Sequence, residues 1–92
     1  MAEISTSTTP RMPRGVRLRF DPVRGAWVLL APERVVFPDP IAIEILERCT
    51  GQESVEAISV DLARAHGAPL EDVRADVLEL VIDLAERGLL EP

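Results

Sequence analysis

LEDVRADVLELVIDLAER, residues Leu70 to Arg87, has the period of one long helix. At about 100° per residue, Asp72, Asp76, Glu79, Asp83 and Glu86 share one narrow polar stripe. Val73, Val77, Leu80 and Leu84 form one flank of the remainder, and Leu78, Ile82 and Ala85 form the other. The two flanks span about 200°, twice the stripe of roughly 100° that packing against one core requires. One flank belongs to the core, and the other needs a second cover. That cover is a neighbouring strand, another subunit, a ligand, or a second layer of the same small domain. The period does not say which flank is which.

Upstream lie two shorter helices. Ser54 has the chemistry of an N-cap, with Val55, Ile58, Leu62 and Ala63 at helical spacing before His66-Gly67. Asp39-Pro40 opens the other, because aspartate caps and proline suits the first helical position. Its buried face is Ile41, Ile45, Leu46, Ala42 and Cys49, and Gly51 is the expected C-cap. Earlier still the period changes to two. Val16, Leu18 and Phe20 alternate with Arg17, Arg19 and Asp21, which predicts a half-buried strand. Asp21-Pro22-Val23-Arg24-Gly25 supplies turn residues, and Ala26–Ala31 (AWVLLA) returns as a second, antiparallel strand. Arg34 to Phe37 makes a short third strand bracketed by Pro32 and Pro38. A strand so bracketed belongs at a sheet edge, with its outer N–H and C=O groups unpaired. Three strands followed by three helices predict an α+β, winged-helix-like fold: an N-terminal three-stranded antiparallel sheet, then a three-helix bundle. Residues 1–15, rich in Ser, Thr and Pro and without hydrophobic period, are expected to be a disordered tail. Residues 16–92 are then a single domain.

The chain has 92 residues, room for one modest core but not for an elaborate enzyme. With one Trp, two Phe and no Tyr, aliphatic side chains must fill that core. A single cysteine excludes an internal disulfide and fits a reducing compartment. No segment approaches the ~20 apolar residues of a membrane span, and the N-terminus has no signal-peptide core. A soluble cytoplasmic protein is expected. Charge is uneven. Through Arg34 the chain carries six arginines against Glu3, Asp21 and Glu33, whereas acids dominate beyond it and bring the net charge to −6.

No catalytic constellation emerges. His66, in the last turn of a helix, reads as a cap for terminal carbonyls. Cys49 reads as a small buried hydrophobe. The acidic residues of the long helix favour its dipole, and no phosphate loop or metal-ligand spacing is present. No cofactor is expected. A winged helix that reads DNA needs cations on the helices that enter a groove. Here those helices carry Glu53, Glu56, Asp61, Glu71, Asp72, Asp76, Glu79, Asp83 and Glu86 against Arg64, Arg74 and Arg87. DNA binding is therefore only the runner-up, and a dimeric subunit adaptor is a third reading.

Several stretches in order and spacing resemble the PqqD family of pyrroloquinoline quinone biosynthesis. They are Trp27-Val28-Leu29-Leu30, Pro32-Glu33-Arg34-Val35, Ala42 with Ile45-Leu46, and Cys49-Thr50-Gly51. Val55, Ile58, Asp76-Val77, Leu84 and Gly88 complete the pattern, which runs from Val16 to Leu90. The family often has Leu-Asn after its third strand, where this chain has Phe37-Pro38-Asp39. The resemblance implies a non-catalytic peptide chaperone, a RiPP recognition element. Such a protein binds the leader of a ribosomally made precursor peptide and presents it to a radical S-adenosylmethionine enzyme, which cross-links a Glu and a Tyr. It also implies that the peptide adds as a strand beside the third strand and lies against the third helix. Joined to the residue reading, this predicts a peptide site of Arg34, Val35, Val36 and Phe37 on the edge, where Val36→Pro should remove a donor. It adds Val73, Val77, Leu78 and Val81 on the long helix, with Arg74 for a peptide carboxylate. The same edge could pair two copies as a homodimer. No nucleic acid or membrane partner is expected.

Overall fold

The period-two segment near the start forms β1 (Arg17–Asp21), and the turn after it returns the chain as β2 (Ala26–Ala31). Asp21 holds that turn, accepting from the Val23 and Arg24 N–H groups at 3.0 and 3.3 Å. Pro32 and Glu33 then reverse the chain into β3 (Arg34–Val36), with Glu33 at φ 63°. The computed structural model describes residues 3–92, and its sheet is antiparallel with the order β1-β2-β3. β3 therefore has β2 on one side only. It ends one residue earlier than expected, and Phe37 lies beyond it.

Three helices follow: α1 (Pro40–Glu47), α2 (Val55–His66) and α3 (Leu70–Glu86). Asp39 caps α1 by accepting from the Ala42 N–H at 2.8 Å. Ser54 caps α2 through the Ala57 N–H at 3.0 Å, and Gly67, at φ 61°, closes that helix. α1 stops sooner than expected. Its C-cap is Arg48, and the Cys49 N–H turns back to the Leu46 carbonyl at 3.1 Å. Gly51 serves a separate turn, where its φ of 84° and the close Arg11 side chain explain the glycine.

The core is aliphatic, as the scarcity of aromatics required. Leu29, Ile45, Leu46, Val55, Ile58, Val77, Val81 and Leu89 are buried almost completely, with Leu62, Leu84, Leu90 and Cys49 around them. Cutting one such Leu or Ile to Ala costs about 2–5 kcal/mol. Ser59, buried within α2, donates its hydroxyl to the Val55 carbonyl at 2.7 Å.

The N-terminal segment departs from expectation. Of the tail expected over 1–15, Met1 and Ala2 lie outside the described residues, and the rest is tied to the domain. Thr8 and Thr6 carbonyls accept from the Val55 and Glu56 N–H groups at 2.8 and 2.9 Å. Those are the first donors of α2, which the helix itself cannot satisfy. The Pro10 carbonyl accepts from Gly51 N–H at 3.0 Å, and Arg11 exchanges two backbone hydrogen bonds with Glu91. Pro10 is buried, and Ile4 and Met12 pack against the core. The segment is held by its backbone, which a reading of side-chain composition does not register.

Candidate functional site

The open margin of β3 comes first. A two-residue turn makes Ala31 and Arg34 the closing pair, with Leu30 opposite Val35 and Leu29 opposite Val36. Hydrogen-bonded and non-hydrogen-bonded pairs alternate along an antiparallel ladder. Arg34 and Val36 thus turn their backbone groups to β2, whereas Val35 turns its N–H and C=O outward. Val36 is not the edge donor that the sequence reading expected. Its side chain packs towards the core, and Val35, 50% exposed, carries the vacant backbone groups.

A cleft of about 800 Å³ lies between the start of α1 and the C-terminal half of α3. Ile41, Ala42, Ile45, Leu80 and Ile82 give it an apolar floor, and Asp76, Glu79, Asp83 and Glu86 give it carboxylate walls. Two links run between β3 and the elements that form it. Asp39, three residues beyond Val36, is part of the lining. At the other end the Arg34 guanidinium donates to the Arg87 carbonyl, next to Glu86 at the end of α3. The cleft begins at Asp39, just past the end of β3, and Arg34 at the strand's other end is tied to the C-terminus of α3.

The helix residues expected in the site divide sharply. Val77 and Val81 are buried at 0% and 1% exposure and belong to the core, Val77 also backing a smaller cavity between α1, α2 and α3 that Val73 lines. Val73 and Leu78 are half-buried against the same core. The apolar residues of α3 that do face the cleft are Leu80 and Ile82, one from each flank of the apolar arc. They were visible in the period but not assigned, because an arc states a face and not its neighbour. Of the five carboxylates on the polar stripe, all but Asp72 wall the cleft.

Arg74 is already engaged. Its Nε and a terminal nitrogen donate to the two carboxylate oxygens of Glu56 on α2 at 2.7 and 2.8 Å. This two-bonded contact holds the Glu56 carboxyl below its ordinary range and raises the Arg74 guanidinium further. Arg74 thus fastens α3 to α2 and is not waiting for a peptide carboxylate. Phe37 remains exposed beyond β3, with the Arg24 guanidinium 4.9 Å from its ring centroid.

Elsewhere the geometry offers little for chemistry. Burial, with Glu53 adding to it, pushes the Cys49 thiol up to about 12, and its Sγ points at the Ile45 carbonyl at 3.2 Å. A thiol so placed stays protonated. His66 pairs with Glu44 at 2.6 Å, joining α2 to α1 rather than capping its own helix. Among the described residues no group of three or more His, Cys, Asp or Glu side chains is placed to hold a metal ion. No described helix is long and apolar enough to cross a membrane.

A three-stranded antiparallel sheet followed by three helices is the fold this chain shares with a solved RiPP recognition element. The solved PqqD truncation of Methylobacterium extorquens PqqCD, described as a functional and stand-alone element of that kind, superposes with a TM-score of 0.84 at 41% identity. The match covers 98% of this chain and 96% of that one. A lasso peptide synthetase B1 complexed with its leader peptide shares the fold at TM-score 0.77 and 21% identity, over 91% of this chain and 99% of that one. Residues 26–90 match the family model described as Coenzyme PQQ synthesis protein D (PqqD). The PqqA binding protein of Bradyrhizobium diazoefficiens is 44% identical over 87 residues, covering 95% of this chain and 84% of the relative. That of Xanthomonas oryzae pv. oryzae is 42% identical over 90 residues, covering 98% of each. The chain belongs to the PqqD family.

Proposed function

We propose that the protein is a peptide chaperone of pyrroloquinoline quinone biosynthesis, working in the cytoplasm by binding alone. It takes the ribosomally made precursor peptide as an added strand along β3 and presents it to a radical S-adenosylmethionine enzyme for the Glu–Tyr cross-link. The observation that carries this reading is the outward backbone of Val35 on the open edge of β3, with an apolar-floored cleft that begins at Asp39 just past the strand. Strand addition draws affinity from main-chain hydrogen bonds and register from side-chain pockets. The relatives support the ligand, since two of them bear the name PqqA binding protein. The carboxylate walls favour a peptide whose contacting segment carries cations among its apolar residues. They also weigh against duplex DNA, whose phosphates they would repel.

Titrating the isotope-labelled protein with the synthetic precursor peptide tests the site. The largest amide shifts are expected at Val35, Phe37, Leu80 and Ile82. Ile82→Asp, at a side chain 39% exposed, should weaken the peptide about tenfold by charging the floor. Shifts confined to the N-terminal segment or the β1–β2 turn would refute the groove. Light scattering with and without peptide separates this reading from a homodimer that pairs two β3 edges.

A further inference from the structure

The smaller cavity backed by Val77 is a different kind of space from the cleft. It holds about 240 Å³ and is walled by α1, the end of α2 and the first half of α3. Its floor is Ile45, Leu62 and Val77, none more than 6% exposed. Close-packed interiors leave few voids larger than one water molecule, and this one has room for several. An apolar floor gives such waters almost nothing to bond to, so the cavity favours an apolar group over water.

Polar groups stand only at the rim. Glu44 of α1 and His66 of α2, both about half exposed, meet there at 2.6 Å and tie two of the walls together. Asp76 of α3 is exposed and has no ion-pair partner among the described residues. The floor offers no donor or acceptor to a peptide backbone, whose N–H and C=O groups are costly to bury unpaired. The space therefore suits a side chain and not a main chain. Its position says whose. Cavity and cleft share Ile41, Ile45 and Asp76, and Ile41, 62% exposed, stands where the two meet. A peptide strand that runs off β3 past Asp39 enters the cleft and comes to this junction.

We infer that the cavity is a specificity subsite that takes one large apolar side chain of the bound peptide, of leucine, methionine or phenylalanine size. The residue beside it in the peptide is a lysine or arginine, held by the unpaired Asp76. The inference rests on the proposed function for the identity of the peptide, and goes beyond it in naming what the protein reads there. Main-chain bonds along β3 are alike for every sequence. The cleft, at about 800 Å³, is too wide to sort one side chain from another. A closed apolar pocket does sort them, because each methylene missing from its occupant costs about tenfold or more.

The test measures binding of the synthetic precursor peptide, and of peptides in which each large apolar residue in turn is alanine. The proteins are the unaltered chain, Ala68→Phe and Val73→Phe. Ala68 and Val73 line the cavity from different sides, so either ring fills it, and urea unfolding confirms that each variant folds. One alanine peptide should bind the unaltered protein about tenfold more weakly than the parent peptide does. Each filled variant should also bind the parent about tenfold more weakly, yet bind that alanine peptide within about twofold as well as the parent. Two changes that remove the same contact do not add. Without any substitution in the protein, the Leu62 and Val73 methyl signals should shift on adding the parent and stay in place with that alanine peptide. Parent affinity unchanged in both filled variants, with Ile82→Asp still weakening it, would overturn the inference and leave the proposed function standing. A further tenfold loss of the alanine peptide on the filled variants would overturn it too, by showing that the rings distort the groove. Asp76→Asn should weaken the parent about threefold, and no loss there would strike the flanking cation from the inference. A parent peptide that fails to bind the unaltered protein would sink the proposed function and the inference together.

Discussion

Two extended segments flank the helices, and they have opposite fates. Thr6–Arg11 and Arg34–Val36 are both short, irregularly placed stretches with few buried side chains. In the first, the carbonyls of Thr6, Thr8 and Pro10 are taken by α2 and Gly51, and Arg11 is paired with Glu91 in both directions. In the second, β2 takes one side and no other described strand takes the other. The N-terminal segment is thus an internal version of the contact that β3 offers to another molecule. Whether an extended segment is structural or functional is settled here by the ownership of its backbone, and its side chains say little about it.

Deleting residues 1–11 should have the largest effect. It removes five backbone hydrogen bonds and the buried Pro10, and at a net of about 0.5–1.5 kcal/mol per bond the loss is at least about 3 kcal/mol. Urea unfolding measures it, and peptide affinity at temperatures where the variant is folded should not change. A truncated protein of full stability would break the comparison. A smaller effect sharpens the other half. Val35→Pro removes an outward N–H and should weaken the precursor peptide about tenfold while leaving urea unfolding nearly unchanged. Val36→Pro removes a bond to β2 instead, so stability should fall and the peptide effect should follow only through unfolding. Equal peptide losses at equal stability in the two variants would show that the alternation along β3 is not what the peptide reads.

The sequence was explicit wherever side-chain period or capping chemistry does the work. The order of strands and helices, the edge position of β3, and the caps Asp39 and Ser54 were all legible for that reason. It was silent where the backbone does the work. The Ser-, Thr- and Pro-rich beginning looks idle because its carbonyls, not its side chains, hold it to α2. The long helix was legible as over-apolar, but the division among Val77 and Val81 in the core and Leu80 and Ile82 over the cleft depends on where α1 and α2 cross it. The same crossing brings Glu56 to Arg74 from eighteen residues away, a distance over which no local pattern gives notice.

That pair supplies the smallest and most discriminating prediction. Glu56 lies in the first turn of α2, with its own N–H held by Thr6, so the contact belongs to the self-paired side of the molecule. Arg74→Met keeps the length of the side chain and removes its donors. The Glu56 carboxyl should then titrate closer to its ordinary value, because the hydrogen bonds that favour its ionised form are gone. The sign of the stability effect follows from the depressed folded value. The pair stabilises the fold at neutral pH, above the unfolded carboxylate range, and the contribution is lost as pH falls through the folded value. The stability gap between the parent and Arg74→Met should therefore be constant near neutrality and close in acid. It should also be small, since both groups remain in contact with water. Peptide affinity should not follow it. A variant in which the Glu56 titration stays put while the peptide is lost would return Arg74 to the groove, and would move the boundary between the two sides of the molecule across α3.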